Sequence, residues 1–219
     1  MNQPLEIRTT NDGSPTLYNN AISESYHSIF GARNESMHIF ITQGLNQCKK
    51  ETVNVLEVGF GTGLNAFLAA MEAQKTKKKI HYVTVELYPL PAEIYTQLQY
   101  ATNAEEAHLF EQLHTCDWER NVQITPHFSI TKLQVDVRTV TFKKSFDCLF
   151  FDAFSPEKQP DLWEVAIFQK MYKAMNSSAL LTTYCAKGSV RRTLQSVGFV
   201  VERLAGPIGG KREILRARK

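Results

Sequence analysis

The chain has 219 residues, 43% of them hydrophobic and 21% charged, and carries a formal net charge of +3. That length holds one domain with a full core, and the composition excludes fibrous, low-complexity and disulfide-scaffolded proteins. The mild positive charge admits an anionic partner without requiring one. Cys48, Cys116, Cys148 and Cys185 show no C-x-x-C spacing and read as reduced thiols. The six histidines lack metal-ligand spacing, so no metal is expected. No apolar signal segment opens the chain and no run approaches membrane-spanning length, so the expectation is a cytoplasmic protein without membrane contact.

Residues 1–50 read as an extension that packs on a core domain spanning 51–219. In the extension, "PLEIRTTNDGSPTLY" predicts two short strands around an Asn-Asp-Gly turn. A helix follows from about Asn34, with Met37, Phe40, Ile41 and Leu45 on one face. The periods then alternate. "VNVLEV" is a strand, "LNAFLAAMEAQ" a helix and "IHYVTVE" a strand. Helices are expected from Pro91 to about Ala101 and from Ala104 to about Leu113. "FSITKLQVDV" is extended, "FDCLFFD" a strand, "DLWEVAIFQKMYKAM" a helix, "ALLTTY" a strand and "GSVRRTLQSV" a helix. "GFVVERLA" and "REILRAR" close the chain as strands. Alternation of this kind makes right-handed β-α-β units on a mostly parallel sheet, an α/β fold. "GPIGGK" is too short for a crossover, so the last strand must be reversed. Seven strands with one antiparallel resemble the Rossmann-like class I S-adenosylmethionine methyltransferases.

"NVLEVGFGTGLN" places Glu57, Gly59, Gly61, Thr62 and Gly63 where the first core strand turns into a helix. Glycines permit a sharp turn and let a ligand approach the backbone N–H groups. Dinucleotide sites use G-x-G-x-x-G, whereas Leu64 stands at the last glycine position here. The E-x-G-x-G-x-G pattern instead resembles motif I of S-adenosylmethionine-dependent methyltransferases. Glu86 ends the second core strand, where a carboxylate can accept from ribose hydroxyls. Asp136 closes the next extended segment, where that family places an adenine-contacting acid. Open parallel sheets bind ligands at their carboxyl ends, where all these residues fall.

"CLFFDAFSPEKQPDLW" raises a separate question, since a buried strand ends abruptly in a carboxylate and a proline-stiffened loop. Asp152 is expected beside the cofactor's methyl group, accepting hydrogen bonds from an amine and aiming its lone pair. A carboxylate also favours the ammonium form, which cannot attack, so the expected role is capture and orientation rather than strong base catalysis. Phe154 and Trp163 are candidates to wall the pocket.

"FFDAFSPEKQPDLW", "TTYCAKGSVRRTLQSVGF" and "GPIGGKREILRA" together resemble the methyltransferase domain of the MnmC family, including its stand-alone forms. Asp152, Phe154, Pro156, Lys158, Pro160, Asp161 and Trp163 match that family's D-x-F-x-P-x-K-x-P-[DE]-x-W signature, and the resemblance spans roughly residues 15 to 218. It implies methylation of the 5-aminomethyl group of a tRNA wobble 2-thiouridine. It also implies that Tyr18 and Glu24, with Ser25 and Tyr26, help cover the cofactor. The bifunctional members add a flavin-dependent oxidase domain that this chain lacks, so a separate enzyme is expected to supply the aminomethyl precursor.

Lys158, Lys187, Arg191, Arg192, Lys211 and Arg212 fall on loops or helix starts at the sheet's carboxyl edge, where they can meet phosphates of an anticodon region. The "QKTKKK" run, by contrast, belongs at the opposite edge. Two competing readings remain open at this level. One is methyl or aminopropyl transfer to a small free amine; the other is a non-catalytic RNA-binding or partner-docking module.

Overall fold

The computed structural model describes residues 5–142 and 145–219. Pro4, where the first predicted strand begins, lies outside them. The expected hairpin is present as β1 (Leu5–Thr9) and β2 (Pro15–Asn19), and a two-residue β3 (Glu24–Ser25) extends it to a small antiparallel sheet. Asp12 builds the turn, its Oδ1 accepting from the Ser14 backbone N–H at 3.0 Å and from the Thr10 hydroxyl at 2.7 Å.

Helix α1 (Ala32–Ser36) starts two residues earlier than expected and widens into a π-helical segment over Met37–Thr42. The wider turn buries Ile39, Phe40 and Ile41 consecutively, whereas Met37 stays half-buried. This segment packs on α2 (Leu64–Thr76) and shares one apolar cluster with it, which also includes Leu17 of β2. Ala66, Ala69, Ala70 and Ala73 are all fully buried, and their small side chains let α2 sit close to its neighbours.

The main sheet has eight strands, not seven. Its members are β4 (Thr52–Val58), β5 (Lys79–Val85), β6 (Asn121–Thr125), β7 (Phe128–Leu133), β8 (Phe146–Phe151), β9 (Met175–Thr183), β10 (Val200–Ala205) and β11 (Glu213–Arg218), in the order β10-β11-β9-β8-β4-β5-β7-β6. β11 runs antiparallel to both neighbours, as its short connection requires. β6 is the unexpected strand. It pairs antiparallel with β7 at the sheet's edge, where its mostly exposed and half-buried side chains leave no apolar alternation to read. β8 is buried at all six positions, as a central parallel strand covered on both faces must be.

The helix expected from Pro91 to Ala101 is only one turn, α3 (Ala92–Tyr95). The Thr96 hydroxyl returns to the Ala92 carbonyl at 2.7 Å, and buried Leu98 and Tyr100 pin the following residues in an irregular path. Helix α4 (Ala104–Thr115) is capped by Asn103, whose side chain accepts from the Glu106 N–H at 3.0 Å. Helices α5 (Val165–Ala174) and α6 (Gly188–Val197) cover the other face with β8 and β9. Strand order reverses between β4 and β8, and a crevice opens at the carboxyl ends there. Among the described residues no helix is long and apolar enough to cross a membrane, and no group of three or more His, Cys, Asp or Glu could hold a metal.

Candidate active site

β4 ends at Val58, and the chain turns through Gly59, Gly61 and Gly63, all at positive φ. Two of these also need the absence of a side chain. A Cβ on Gly59 would lie 2.8 Å from the Asp152 carbonyl oxygen, and one on Gly63 would lie 2.8 Å from Nε2 of His114. His114, on α4, supports the loop from behind. Its Nε2 donates to the Thr62 carbonyl at 3.1 Å, and its ring stacks on Tyr95 with centroids 4.2 Å apart. Burial pushes its pKa down to about 4, so the imidazole is neutral. Buried Lys132 donates to the Leu113 and His114 carbonyls at 2.8 and 2.7 Å, placing a cation at the C-terminal end of α4. Neither residue carries a sequence signal: a helix histidine and a strand lysine look ordinary until the chain folds.

Glu86 follows β5 directly. Its Oε2 accepts from the Gly61 N–H at 3.0 Å and its Oε1 from the Tyr88 N–H at 2.9 Å, so the carboxylate is fixed at the lip of the glycine loop. Asp136 lies three residues beyond β7 rather than on it. Arg138 grips it through Nε and Nη2, at 2.9 and 2.7 Å, and holds its carboxyl below the usual carboxylate range. Both acids line one cavity of about 1110 Å³ with Gly59, Gly61 and Thr62. Ligand pockets run to roughly 300–1,000 Å³, so this one has room for a nucleoside-sized cofactor and part of a second substrate.

Asp152 faces the same cavity. Its N–H donates to the Val58 carbonyl at 3.1 Å, and its Oδ2 accepts from Nδ2 of Asn65 at 2.8 Å. Burial pushes its pKa up to about 7, opposed by the Asn65 hydrogen bond. The loop after it is tied down at several points. Glu24 accepts from the Ser155 backbone N–H and hydroxyl, at 3.1 and 2.8 Å. The Tyr184 hydroxyl donates to the Ala153 carbonyl at 2.9 Å, and Phe154 meets Tyr26 edge-on at 4.9 Å.

Several expected site residues fall elsewhere. Glu57 is fully buried beneath the glycine loop, where its Oε2 accepts from the Thr84 hydroxyl at 2.7 Å. Strand alternation turns it away from Val58, which does line the cavity. Tyr18 does not line the cavity either; its ring lies under the Arg8 guanidinium at 3.6 Å. Trp163 is a core residue packed on Phe151, and its Nε1 donates to the Phe154 carbonyl at 2.8 Å. Lys158 and Lys211 line the cavity. Lys211 is paired with buried Glu35 and lies over the Tyr184 ring at 4.4 Å. Lys187 pairs with Glu157. Arg191, Arg192 and Arg212 sit outside the cavity, on α6 and just before β11, at the same edge of the sheet. Sequence reasoning did not single out Asn65, His27 or Tyr184, all of which line the cavity.

A family described as S-adenosyl-L-methionine-dependent methyltransferases matches residues 78–219. The chain belongs to that family. The glycine-lined cradle with a fixed carboxylate at its lip suits a ribose-bearing cofactor, so S-adenosylmethionine fits these residues. The tRNA 5-methylaminomethyl-2-thiouridine biosynthesis bifunctional protein MnmC of Azoarcus sp. (strain BH72) is 32% identical over 98% of this methyltransferase. The match spans 35% of that relative's length, so the chain corresponds to about a third of it. The crystal structure of MNMC2 from Aquifex aeolicus superposes with a TM-score of 0.83 at 28% identity, covering 98% of this chain and 70% of that one. Spermidine synthase from Thermotoga maritima shares the fold, with a TM-score of 0.59 at 13% identity over the whole of this chain and 80% of that one.

Burial pushes the Glu57 carboxyl up to about 8, and the Asp152 charge adds to the shift. The folded methyltransferase therefore holds a proton that the unfolded chain has released across roughly pH 4.5 to 8, and stability falls as pH rises through that window. Glu57→Gln keeps an acceptor for Thr84 and removes the titration. Calorimetry should show its melting temperature close to wild type at pH 5 and several degrees higher at pH 8, at about 2–4 °C per kcal/mol for a chain this size.

Proposed function

We propose that this methyltransferase methylates the nitrogen of a 5-aminomethyl group on a tRNA wobble uridine, with or without 2-thiolation. The observation that carries the reading is Asp152, a carboxylate at the junction of the glycine loop and the signature loop that faces the cavity, with exposed Arg192 and Arg212 at the same edge of the sheet. The names of the MnmC relatives support the substrate assignment.

Gly59, Gly61, Thr62, Glu86 and Asp136 would hold S-adenosylmethionine, which supplies an electrophilic methyl group when bound. Asp152 accepts hydrogen bonds from the amine and directs its lone pair, with Asn65 fixing the carboxylate's orientation. Phe154 and Tyr26 close one side of the cavity and exclude water from the amine. The raised pKa of Asp152 also changes the proton balance inferred from sequence. An alkylammonium near 10.4 lies only about three units above a carboxyl at about 7, rather than roughly six above an ordinary aspartate. Asp152 can therefore receive the amine proton as well as orient the nitrogen.

Asp152→Asn should lower kcat by about 10²–10³, within the range for a lost general base. The affinity for S-adenosylmethionine should stay within about threefold by calorimetry. The wild-type rate should rise through about pH 7 as Asp152 ionises, and the variant's profile should lack that limb.

The carboxyl edge of the sheet is the proposed RNA face, a reading supported by Arg191 and Arg192, which lie there, while Lys77 and Lys78 lie at the opposite edge between α2 and β5. Reversing the charge of Arg191 and Arg192 should weaken tRNA binding in filter assays, whereas reversal at Lys77 and Lys78 should not. Equal effects would refute this orientation.

The substrate itself is tested by mass spectrometry of wobble nucleosides. Purified protein with S-adenosylmethionine and tRNA from cells lacking it should add one methyl to the aminomethyl nucleoside. Methylation of a polyamine in place of tRNA would overturn the proposal.

A further inference from the structure

Ile29, Phe30 and Ile208 are exposed large apolar side chains that neither folding nor the chemistry above requires. The β10–β11 connection closes with the Gly206 N–H donating to the Arg212 carbonyl at 3.0 Å. Its tip is a tight turn in which the Gly210 N–H donates to the Pro207 carbonyl at 3.0 Å and Gly209 takes a φ of 76°. A positive φ at the third position, with Ile208 at the second not among the positive-φ residues, is the pattern of a type II turn. The second position here is Ile208, whose side chain is wholly exposed at 101% of its reference area. The turn is thus built from two glycines and a proline and presents one large apolar group to solvent.

A second segment meets it. Ile29 and Phe30 are both at least half exposed, and Phe30 Cβ lies 3.9 Å from where a Cβ on Gly210 would stand. Ser28, immediately before them, lines the cavity, and so does Lys211, three residues after Ile208. Both apolar tips therefore adjoin, in the chain, residues of the cavity wall without lining it themselves. The cations Lys211 and Arg212 follow directly on Ile208's own turn.

We propose that Ile208, backed by Phe30, is a wedge that enters the anticodon loop and fills the stacking position vacated when the wobble nucleotide turns into the cavity. This rests on the tRNA reading above. A base must leave its stack before its substituent can reach a residue as deep as Asp152, and the unstacking costs a few kcal/mol. Apolar side chains such as Ile and Phe offset that cost elsewhere by inserting between bases, and single-stranded bases stack on exposed aromatic rings. Charge complementarity favours nucleic acid as the occupant, because exposed Arg212 follows the wedge's turn, whereas Lys211 is held by Glu35. Three side chains are also far too few to make a dimer interface, which needs roughly 800 Å² from each partner.

The test uses an anticodon stem-loop carrying 5-aminomethyluridine at the wobble position and the fluorescent base 2-aminopurine beside it. Wild type should raise the 2-aminopurine emission on binding, as its neighbour unstacks. Ile208→Ser should abolish most of that rise and lower kcat/KM on the stem-loop by about 10–100-fold, because the unstacking cost is no longer offset. Phe30→Ala should act in the same direction. Both variants should melt within about 2 °C of wild type and bind S-adenosylmethionine with unchanged affinity. Unchanged emission and unchanged kcat/KM in Ile208→Ser would overturn the wedge while leaving the tRNA reading intact. So would a wild-type dimer in sedimentation that Ile208→Ser dissociates. A wild-type protein that fails to methylate the stem-loop at all would instead bring down the tRNA reading, and the wedge with it.

Discussion

Three parallel strands, β5, β4 and β8, end side by side in register, with Val58 opposite both Val85 and Phe151. Each then delivers its next residue to the same place. Gly59 donates to the Val85 carbonyl, Asp152 to the Val58 carbonyl and Glu86 to the Leu133 carbonyl. Hydrogen-bonded strands are only about 4.8 Å apart, so the glycine turn and the Asp152 carboxylate become immediate neighbours. The bare Cα of Gly59 against the Asp152 carbonyl is the tightest point of that arrangement. A side chain there would separate the strand ends, and with them the two halves of the site.

Behind this junction lies a buried polar layer. Glu57 accepts from Thr84, and Asn65 reaches from α2 to Asp152. Glu57 Oε1, Asn65 Oδ1 and the Tyr82 hydroxyl are buried there without a hydrogen-bond partner. A proton held on Glu57 turns one surplus acceptor into a donor, consistent with burial raising its pKa to about 8. Such a layer costs stability at high pH, and in exchange it fixes the orientation of the Asp152 carboxylate in the cavity.

Residues between β2 and α1, with Glu35 of α1, reach the cavity and its loops. Glu24 clamps the Asp152 loop through Ser155, Tyr26 meets Phe154, and buried Glu35 holds Lys211 at the cavity wall. Folding also divides the cations. Lys132 serves a helix end, Arg138 an aspartate, and Lys187 and Lys211 pair with glutamates. Arg192 and Arg212 remain exposed at the rim. Equal charges in the sequence thus have unequal freedom to meet a phosphate.

Local pattern determined the α/β class, the reversed last strand, the glycine turn and the placing of Glu86, Asp136 and Asp152 near strand ends. Each of these follows from short-range periodicity, from the conformational needs of glycine or from connection length. The family signature marked out the loop that follows Asp152. Other features were decided by contacts between segments far apart in the chain, which no local period records. β6 is an edge strand without alternation, and the π-helical turn at Met37 answers to the packing of α2. Glu57 and Trp163 resemble site residues in sequence but are turned inward by strand alternation and core packing. Asn65, His114 and Lys132 acquire their roles only when α2 and α4 are laid against the sheet. An aspartate's position after a strand can be read from sequence; its pKa of about 7 cannot, because the burial that raises it exists only in the assembled fold.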